Sequence, residues 1–373
     1  MSLIYIPIFF RASIIFSIAY LIVFVLGLIG NFFVVLAVAL HPSLRTATDY
    51  LIFSLATADL LIILFCLPTT LLNNLLIEWQ LGSYGCKIST FINSTTTCVS
   101  IFTLVAVTGD RYFAICRTLR YAMWEATYTL FVVGGIWVIC AGLAIPDLLH
   151  YNEVSYALEE NGTEFHLCRP ENSEASDDFF HFITVNLISA FLIPLLLISF
   201  LYGRIFWKVT NRQSLAVDAH VRDERIRIRV AKMMFIVIVI FVFCWTPLYG
   251  LYLYFFLAPD HSSPTFQFAS SLLRPIFQWL SLLSSSLNPI IYVMYSQKYR
   301  RAFNQILLYP CQAHYDNIRT TTWNNVRKSF KNGTDNKSIW KKEKRDDSNI
   351  SKSDPTTNIS LIEQKFEETS TDM

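Results

Sequence analysis

Charge is scarce in this chain. Asp, Glu, Lys and Arg make up 16% of its 373 residues, against 53% hydrophobic, and the mean hydropathy is +0.42. A water-soluble domain of this size could not hide so much apolar surface, which excludes that class. The net charge is only +2, so nothing argues for a nucleic-acid partner. No group of histidines or carboxylates at metal-ligand spacing falls in the apolar stretches, which argues against a membrane enzyme. An internal repeat is also missing.

What the sequence does have is seven apolar runs, each long enough to cross a bilayer, for which about 20 residues are needed. They cover residues 14–40, 50–73, 88–115, 129–148, 182–207, 230–257 and 268–295. Backbone groups in lipid must bond within their own segment, so each run is expected to be a helix. The fold class expected is an all-α membrane protein, a bundle of seven spanning helices over 14–295. Residues 1–13 precede it as a short extracellular segment, because the first run is too long for a signal peptide and carries Asn31 mid-span.

Basic residues cluster in alternate loops. Arg45 follows the first run, Arg117 and Arg120 the third, and Lys208, Arg212, Arg222, Arg225, Arg227 and Arg229 lie between the fifth and sixth. Those loops are expected on the cytoplasmic side of a plasma membrane, with the N-terminus outside and the C-terminus inside. Residues 296–311 place Tyr299, Phe303, Ile306 and Leu307 on one helical face beside Lys298, Arg300 and Arg301, the pattern of a short amphipathic eighth helix on the bilayer surface. Cys311 is then either a palmitoylation site or a free thiol. Residues 312–373, rich in Ser, Thr, Asn, Lys and Asp, are expected to be a disordered cytoplasmic tail.

The segment between runs four and five is acidic, with Glu153, Glu159, Glu160, Glu164, Glu171, Glu174, Asp177 and Asp178 against Arg169. It reads either as a solvated loop or as a field that concentrates cationic ligands. Asn161-Gly162-Thr163 is the one glycosylation sequon expected outside. Of the 8 cysteines, most lie in the runs as apolar fillers. Cys86, at the outer end of the third run, and Cys168, in the acidic segment, face the oxidising side.

Polar groups inside the runs are costly in lipid and default to a functional reading. Taken in order they are Gly30-Asn31, Leu55-Ala56 with Asp59, Asp110-Arg111-Tyr112 after Cys86, Trp137, Pro194 with Tyr202, Cys244-Trp245-Thr246-Pro247, and Asn288-Pro289-Ile290-Ile291-Tyr292. This ordered set resembles the rhodopsin-like, or class A, G-protein-coupled receptors, over about residues 14–311, and looks closest to the neuropeptide-receptor group. The resemblance implies a receptor that binds an extracellular ligand and activates a heterotrimeric G protein, and no enzyme activity.

The rest follows from that likeness. Cys86 and Cys168 would form a disulfide. Asp59, Ser100, Ser284, Ser285 and Asn288 match a sodium pocket, read otherwise as a water-bridged polar cluster; many relatives have Asn where this chain has Ser284. An allosteric sodium ion is thus the one cofactor to consider. Ile101, Pro194 and Phe241 match a packing trio below Trp245, and Pro247 would hinge helix six outward. Arg111 would pair with Asp110 at rest and turn toward Tyr202, Tyr292 and the G protein when active. Leu119 matches the apolar residue that docks into the G protein, although Thr118 beside it departs from the usual proline. Where many relatives restrain Arg111 with an acid low on helix six, this chain has Arg227. That absence implies a missing restraint and some basal signalling.

For the ligand, Leu282 replaces the lysine of light receptors and Asn93 the aspartate of amine receptors. The matching pocket is Thr69, Thr70, Asn73, Asn93, Thr97, Asn186, Tyr249, Tyr252, Arg274 and Gln278, a polar and aromatic wall suited to a small peptide. A lipid or small-metabolite receptor, or a constitutively active one without a ligand, is the alternative; a transporter is disfavoured because Asp59 is the only charge expected deep in the bundle. In the tail, Thr369, Ser370 and Thr371 among acids suit receptor kinases and arrestin, and Thr371-Asp372-Met373 weakly resembles a PDZ ligand.

Overall fold

The computed structural model describes residues 2–76, 78–121, 126–157, 164–171, 179–211, 218–260 and 263–307. Within them lie seven helices long and apolar enough to cross a membrane. Helix one is Ser2–Leu40, helix two Ala47–Leu75, helix three Gly82–Cys116, helix four Ala126–His150, helix five Phe179–Thr210, helix six Asp218–Leu257 and helix seven Pro264–Tyr295. Residues 297–307 form a further, shorter helix. The all-α class has one addition: strands β1 (Tyr151–Ala157) and β2 (Glu164–Pro170) pair as an antiparallel hairpin after helix four, with Glu153 opposite Cys168 and Tyr156 opposite Phe165.

Several helices exceed their apolar runs. Helix one begins at Ser2, twelve residues before its apolar run at Ile14. Helix six begins at Asp218, twelve residues before the apolar run at Val230, because its Ala, Glu and Arg residues are strong helix formers. Helix two starts on a reciprocal cap. Asp49 N donates to Thr46 Oγ1 at 3.4 Å, and Thr46 N donates to Asp49 Oδ2 at 3.2 Å. Gly82 opens helix three at φ +67, a conformation that glycine adopts without a Cβ penalty.

Three stretches widen into π-helix, at Ile62–Cys66, Phe182–Leu192 and Ala269–Leu273. Each ends two residues before a proline, respectively Pro68, Pro194 and Pro275. Proline lacks an N–H, and its ring crowds the carbonyl one turn back. The wider turn relieves that crowding while keeping the helix continuous.

The largest buried cluster joins helices one, two, three, five, six and seven and the helix at 297–307 through Val34, Leu55, Ile101, Ile198, Met234, Phe241, Ile291, Tyr292 and Tyr299, with Val133 of helix four packed against it. Hydrogen bonds cross-link the bundle. Asn31 Nδ2 donates to the Gly27 and Ser285 carbonyls, each at 3.0 Å, and Trp137 Nε1 donates to Ser54 Oγ at 3.1 Å. Tyr299 OH donates to Asp49 Oδ1 at 3.2 Å, which ties the 297–307 helix to the cap of helix two. Burial and the neighbouring Asp49 and Tyr292 push the Tyr299 hydroxyl well above its ordinary pKa, so it stays protonated as the donor.

Helices one and seven meet closely at glycine. A Cβ on Gly27 would stand 2.5 Å from Ser286 Oγ and 2.7 Å from Ile63 Cδ1. Gly27→Val therefore overpacks this contact and should cost about 1–3 kcal/mol. Thermal unfolding of the purified protein and surface expression would both fall; an unchanged melting point would show that the two helices separate freely.

Candidate functional site

At the hairpin end, helices two to seven enclose a cavity of about 700 Å³. Thr70, Asn73, Asn93, Thr97, Asn186, Tyr249, Tyr252, Arg274 and Gln278 line it, as the sequence expects. Thr69 does not. Its hydroxyl folds back onto the carbonyls of Phe65 and Cys66, at 2.9 and 3.0 Å. Both residues follow the π-helical stretch of helix two, where extra residues per turn rotate what comes after, and Thr70 takes the inward position.

The hairpin is stapled over this cavity. Cys86 and Cys168 form a disulfide with Cα atoms 5.5 Å apart, and Cys168 is part of the lining. Trp79 N donates to the His166 carbonyl at 2.8 Å, and Trp79 Nε1 to that of Gly82 at 2.8 Å. Ser83 Oγ donates to Asn152 Oδ1, whose amide in turn donates to Glu171.

Inside, a polar chain runs across the wall. Asn74 Nδ2 donates to Gln278 Oε1 at 2.9 Å, and Gln278 Nε2 donates to Tyr252 OH at 3.2 Å. Arg274 lines the cavity, and its Nε is buried without a hydrogen-bond partner among the described residues. An aromatic stack descends from the cavity: Phe182 and Tyr249 at 6.3 Å, Tyr249 and Trp245 at 6.1 Å, and Trp245 and Phe241 at 5.6 Å between ring centroids.

The sequence reading missed Asp147. Asp59 is not the only deep carboxylate, since Asp147 is 6% exposed, lines the cavity and lies 3.4 Å from His181 Nε2. The signal was present: an acid at the end of an apolar run carries the same lipid cost that singles out Asp59.

Trp245 joins the cavity to the polar cluster below. It lines the cavity, and its Nε1 donates to Ser284 Oγ at 3.2 Å. Asp59, 2% exposed, accepts from Asn288 Nδ2 at 2.8 Å. Ser100 and Ser284 spend their protons on the carbonyls of Thr96 and Ser281, at 2.9 and 2.6 Å. Ser285 is buried in the same cluster. The donor set is one carboxylate and several hydroxyl oxygens, which fits a hard monovalent cation. Ile101, Pro194 and Phe241 are all buried around this level, and Pro247 lies inside helix six.

At the opposite end, Arg111 is held on several sides. It forms an ion pair with Asp110 and donates to Thr48 Oγ1 and, at 3.4 Å, to Tyr121 OH. Thr48 Oγ1 donates to Asp110 Oδ2 at 2.6 Å, closing a triangle. Burial, reinforced by Asp110, raises the Tyr121 hydroxyl above its ordinary pKa, so it remains protonated. Tyr112 packs edge-on to Phe113 at 5.6 Å. Tyr202 OH donates to the Ala231 carbonyl at 3.3 Å, whereas Tyr292 OH is buried with no partner among the described residues. Pro289 is buried against Gly30.

Arg227 makes a contact that the sequence does not show. Among the described residues no acid pairs with it, and its Nη1 donates to the Ala114 carbonyl of helix three at 3.0 Å. Ala114 lies in that helix's last turn, where carbonyls lack amide partners and a cation is favoured. The side chain of Leu119, Asn161, Cys311 and the tail with Thr369 to Met373 lie outside the described residues.

Comparison with known proteins agrees with this geometry. The model of the 7 transmembrane receptor (rhodopsin family) matches residues 30–292. The chain is 30% identical over 294 residues to a QRFP-like peptide receptor of Branchiostoma floridae, covering 77% of this chain and 76% of the relative. It is 28% identical over 290 residues to an Allatostatin-A receptor of Bombyx mori, covering 77% of each. It is also 30% identical over 310 residues to Neuropeptide FF receptor 2 of Mus musculus, covering 79% of this chain and 72% of that one.

Proposed function

This chain belongs to the rhodopsin family of seven-transmembrane receptors, and from that premise we propose that it is a neuropeptide receptor of the plasma membrane. The hairpin end faces outward and the Arg111 end faces the cytoplasm. A short peptide enters the cavity, its backbone and terminal amides exchanging hydrogen bonds with Asn73, Asn93, Asn186 and Gln278 while Arg274 takes an acidic group or a carbonyl. Pressure on Trp245 passes to Ser284 and Phe241, helix six swings outward at Pro247, and Arg111 is released toward a heterotrimeric G protein.

The observation that carries this reading is the double role of Trp245, at once cavity wall and donor to the buried polar cluster. The test is a screen of transfected cells against amidated neuropeptides, reading calcium and cAMP. A response that weakens in Gln278→Ala, at equal surface expression, supports it. Silence across the library with the receptor at the surface turns the reading toward a lipid or metabolite ligand, or toward signalling without one. Phosphorylation of Thr369, Ser370 and Thr371 would recruit arrestin, and Thr371-Asp372-Met373 would offer a PDZ domain its carboxylate.

The polar cluster would hold sodium through Asp59, Ser100 and Ser285, adding a charge that favours the resting packing. Agonist affinity should then be at least about fivefold weaker in sodium chloride than in choline chloride, and Asp59→Asn should abolish the difference. Equal sodium sensitivity in the variant would mean that the cation binds elsewhere.

A further inference from the structure

Among the described residues, Asp147 is the only carboxylate in the lining of the outer cavity, and it is buried. An ionised carboxylate so far from water is costly unless a positive charge answers it. The group that reaches it is His181 Nε2, at 3.4 Å, from the start of helix five. That is beyond a close hydrogen bond of about 2.7–3.2 Å, and imidazole carries charge only when protonated. The other basic groups of the lining are engaged or placed elsewhere. Arg169 of β2 lies over the Tyr156 ring at 4.7 Å, Arg274 of helix seven stands beside Tyr20 and Tyr252, and His150 is one turn further along helix four. Among the described residues none of the three is ion-paired with Asp147. Helix three adds no charged side chain to the lining, and the thiols of Cys98 and Cys140 and the phenols of Tyr151, Tyr249 and Tyr252 supply no positive charge.

Asp147 is thus held by a partner whose charge depends on one proton, in a wall that faces the ligand. We propose that Asp147 is the subsite for a cationic group, the guanidinium or ammonium of a basic peptide residue, and that His181 is its proton-gated competitor. With the imidazole neutral, the carboxylate keeps its net charge and takes the cation directly. With the imidazole protonated, the pair is neutral and the cation must displace His181. The proton and the cation then weaken each other's binding by the same factor, so affinity for a basic ligand falls as pH falls. His181 can yield: its side chain is 30% exposed, and it stands immediately before the π-helical stretch Phe182–Leu192. The inference rests on the peptide-receptor reading above and narrows it to basic ligands.

The probes are N-acetylargininamide and its uncharged isostere N-acetylcitrullinamide, whose charges are constant between about pH 5.5 and about pH 7.5. Saturation-transfer NMR measures their affinity for the full-length receptor in lipid nanodiscs, with titration to about 30 mM because so small a fragment binds weakly. The arginine probe should bind about tenfold more weakly at the lower pH than at the higher, for an imidazole titrating near the usual value of about 6.5. The citrulline probe should bind more weakly than the arginine probe at the higher pH and show no such dependence. Asp147→Asn should bring the arginine probe down to the citrulline level. His181→Gln should bind the arginine probe without dependence on pH, whereas His150→Gln should keep the wild-type profile. An arginine probe that does not bind, binds no better than citrulline, or is unaffected by Asp147→Asn would overturn the subsite. A wild-type pH profile in His181→Gln would overturn the gate. An agonist from the peptide screen that bears no cation and keeps full potency in Asp147→Asn would sink the subsite while leaving the peptide receptor standing.

Discussion

Arg227→Ala is expected to raise ligand-independent nucleotide exchange on the G protein about fivefold, at matched surface expression. The wild-type guanidinium spans from helix six to the Ala114 carbonyl at 3.0 Å. That carbonyl sits at the negative end of a helix of 35 residues. Outward motion of helix six must break this bond. A hydrogen bond with one charged partner contributes about 1.5–3 kcal/mol, discounted to about 1 kcal/mol here because Arg227 is only half-buried and partly screened by solvent. One kcal/mol is about a fivefold change in the ratio of active to resting molecules. Arg227→Gln keeps a donor without the charge and should fall between. If Arg227→Ala leaves exchange unchanged while Arg111→Ala abolishes ligand-stimulated exchange, the bond does not restrain helix six.

The second large effect concerns the hairpin. With Cys86→Ser/Cys168→Ser, the response to agonist should weaken by more than about tenfold and the purified receptor should melt several degrees lower. The disulfide closes 82 residues of chain. For a loop of that length in water, chain entropy alone gives about 4.5 kcal/mol. Two bilayer-anchored helix ends are already confined, so about 2 kcal/mol is the fitting magnitude, near the low end of the range for such bonds. The larger loss is in the site itself, because Cys168 is cavity wall and β2 is its roof. A serine pair with full agonist potency would mean that the Trp79 and Ser83 hydrogen bonds suffice to hold the hairpin.

The spans were legible because lipid leaves a backbone few options, and apolar length alone locates them. Asp59, Asn288 and Arg111 were legible for the complementary reason, since a polar side chain in a span stands out. The hairpin was less so. Val154, Tyr156, Phe165 and Leu167 alternate as strands do, but the surrounding acids mask a short pattern of period two. The Arg227 tie left no trace at all, because its acceptor is a backbone carbonyl and every residue has one. Thr69 was misplaced for a related reason: the prolines are visible in the sequence, whereas the π-helical turns ahead of them are not.

Those turns bear on stiffness. Helices two, five and seven each carry a proline joint in the half nearest the cavity, so their outer ends are compliant and adjust to whatever fills it. Helix three runs unbroken from Gly82 to Cys116. Helix six runs from Asp218 to Leu257 with a single proline, Pro247, just above Trp245. The receptor is thus a soft cup over one continuous rod, helix three, and one jointed rod, helix six, whose long segment below Pro247 carries a push at Trp245 toward the far end of the bundle.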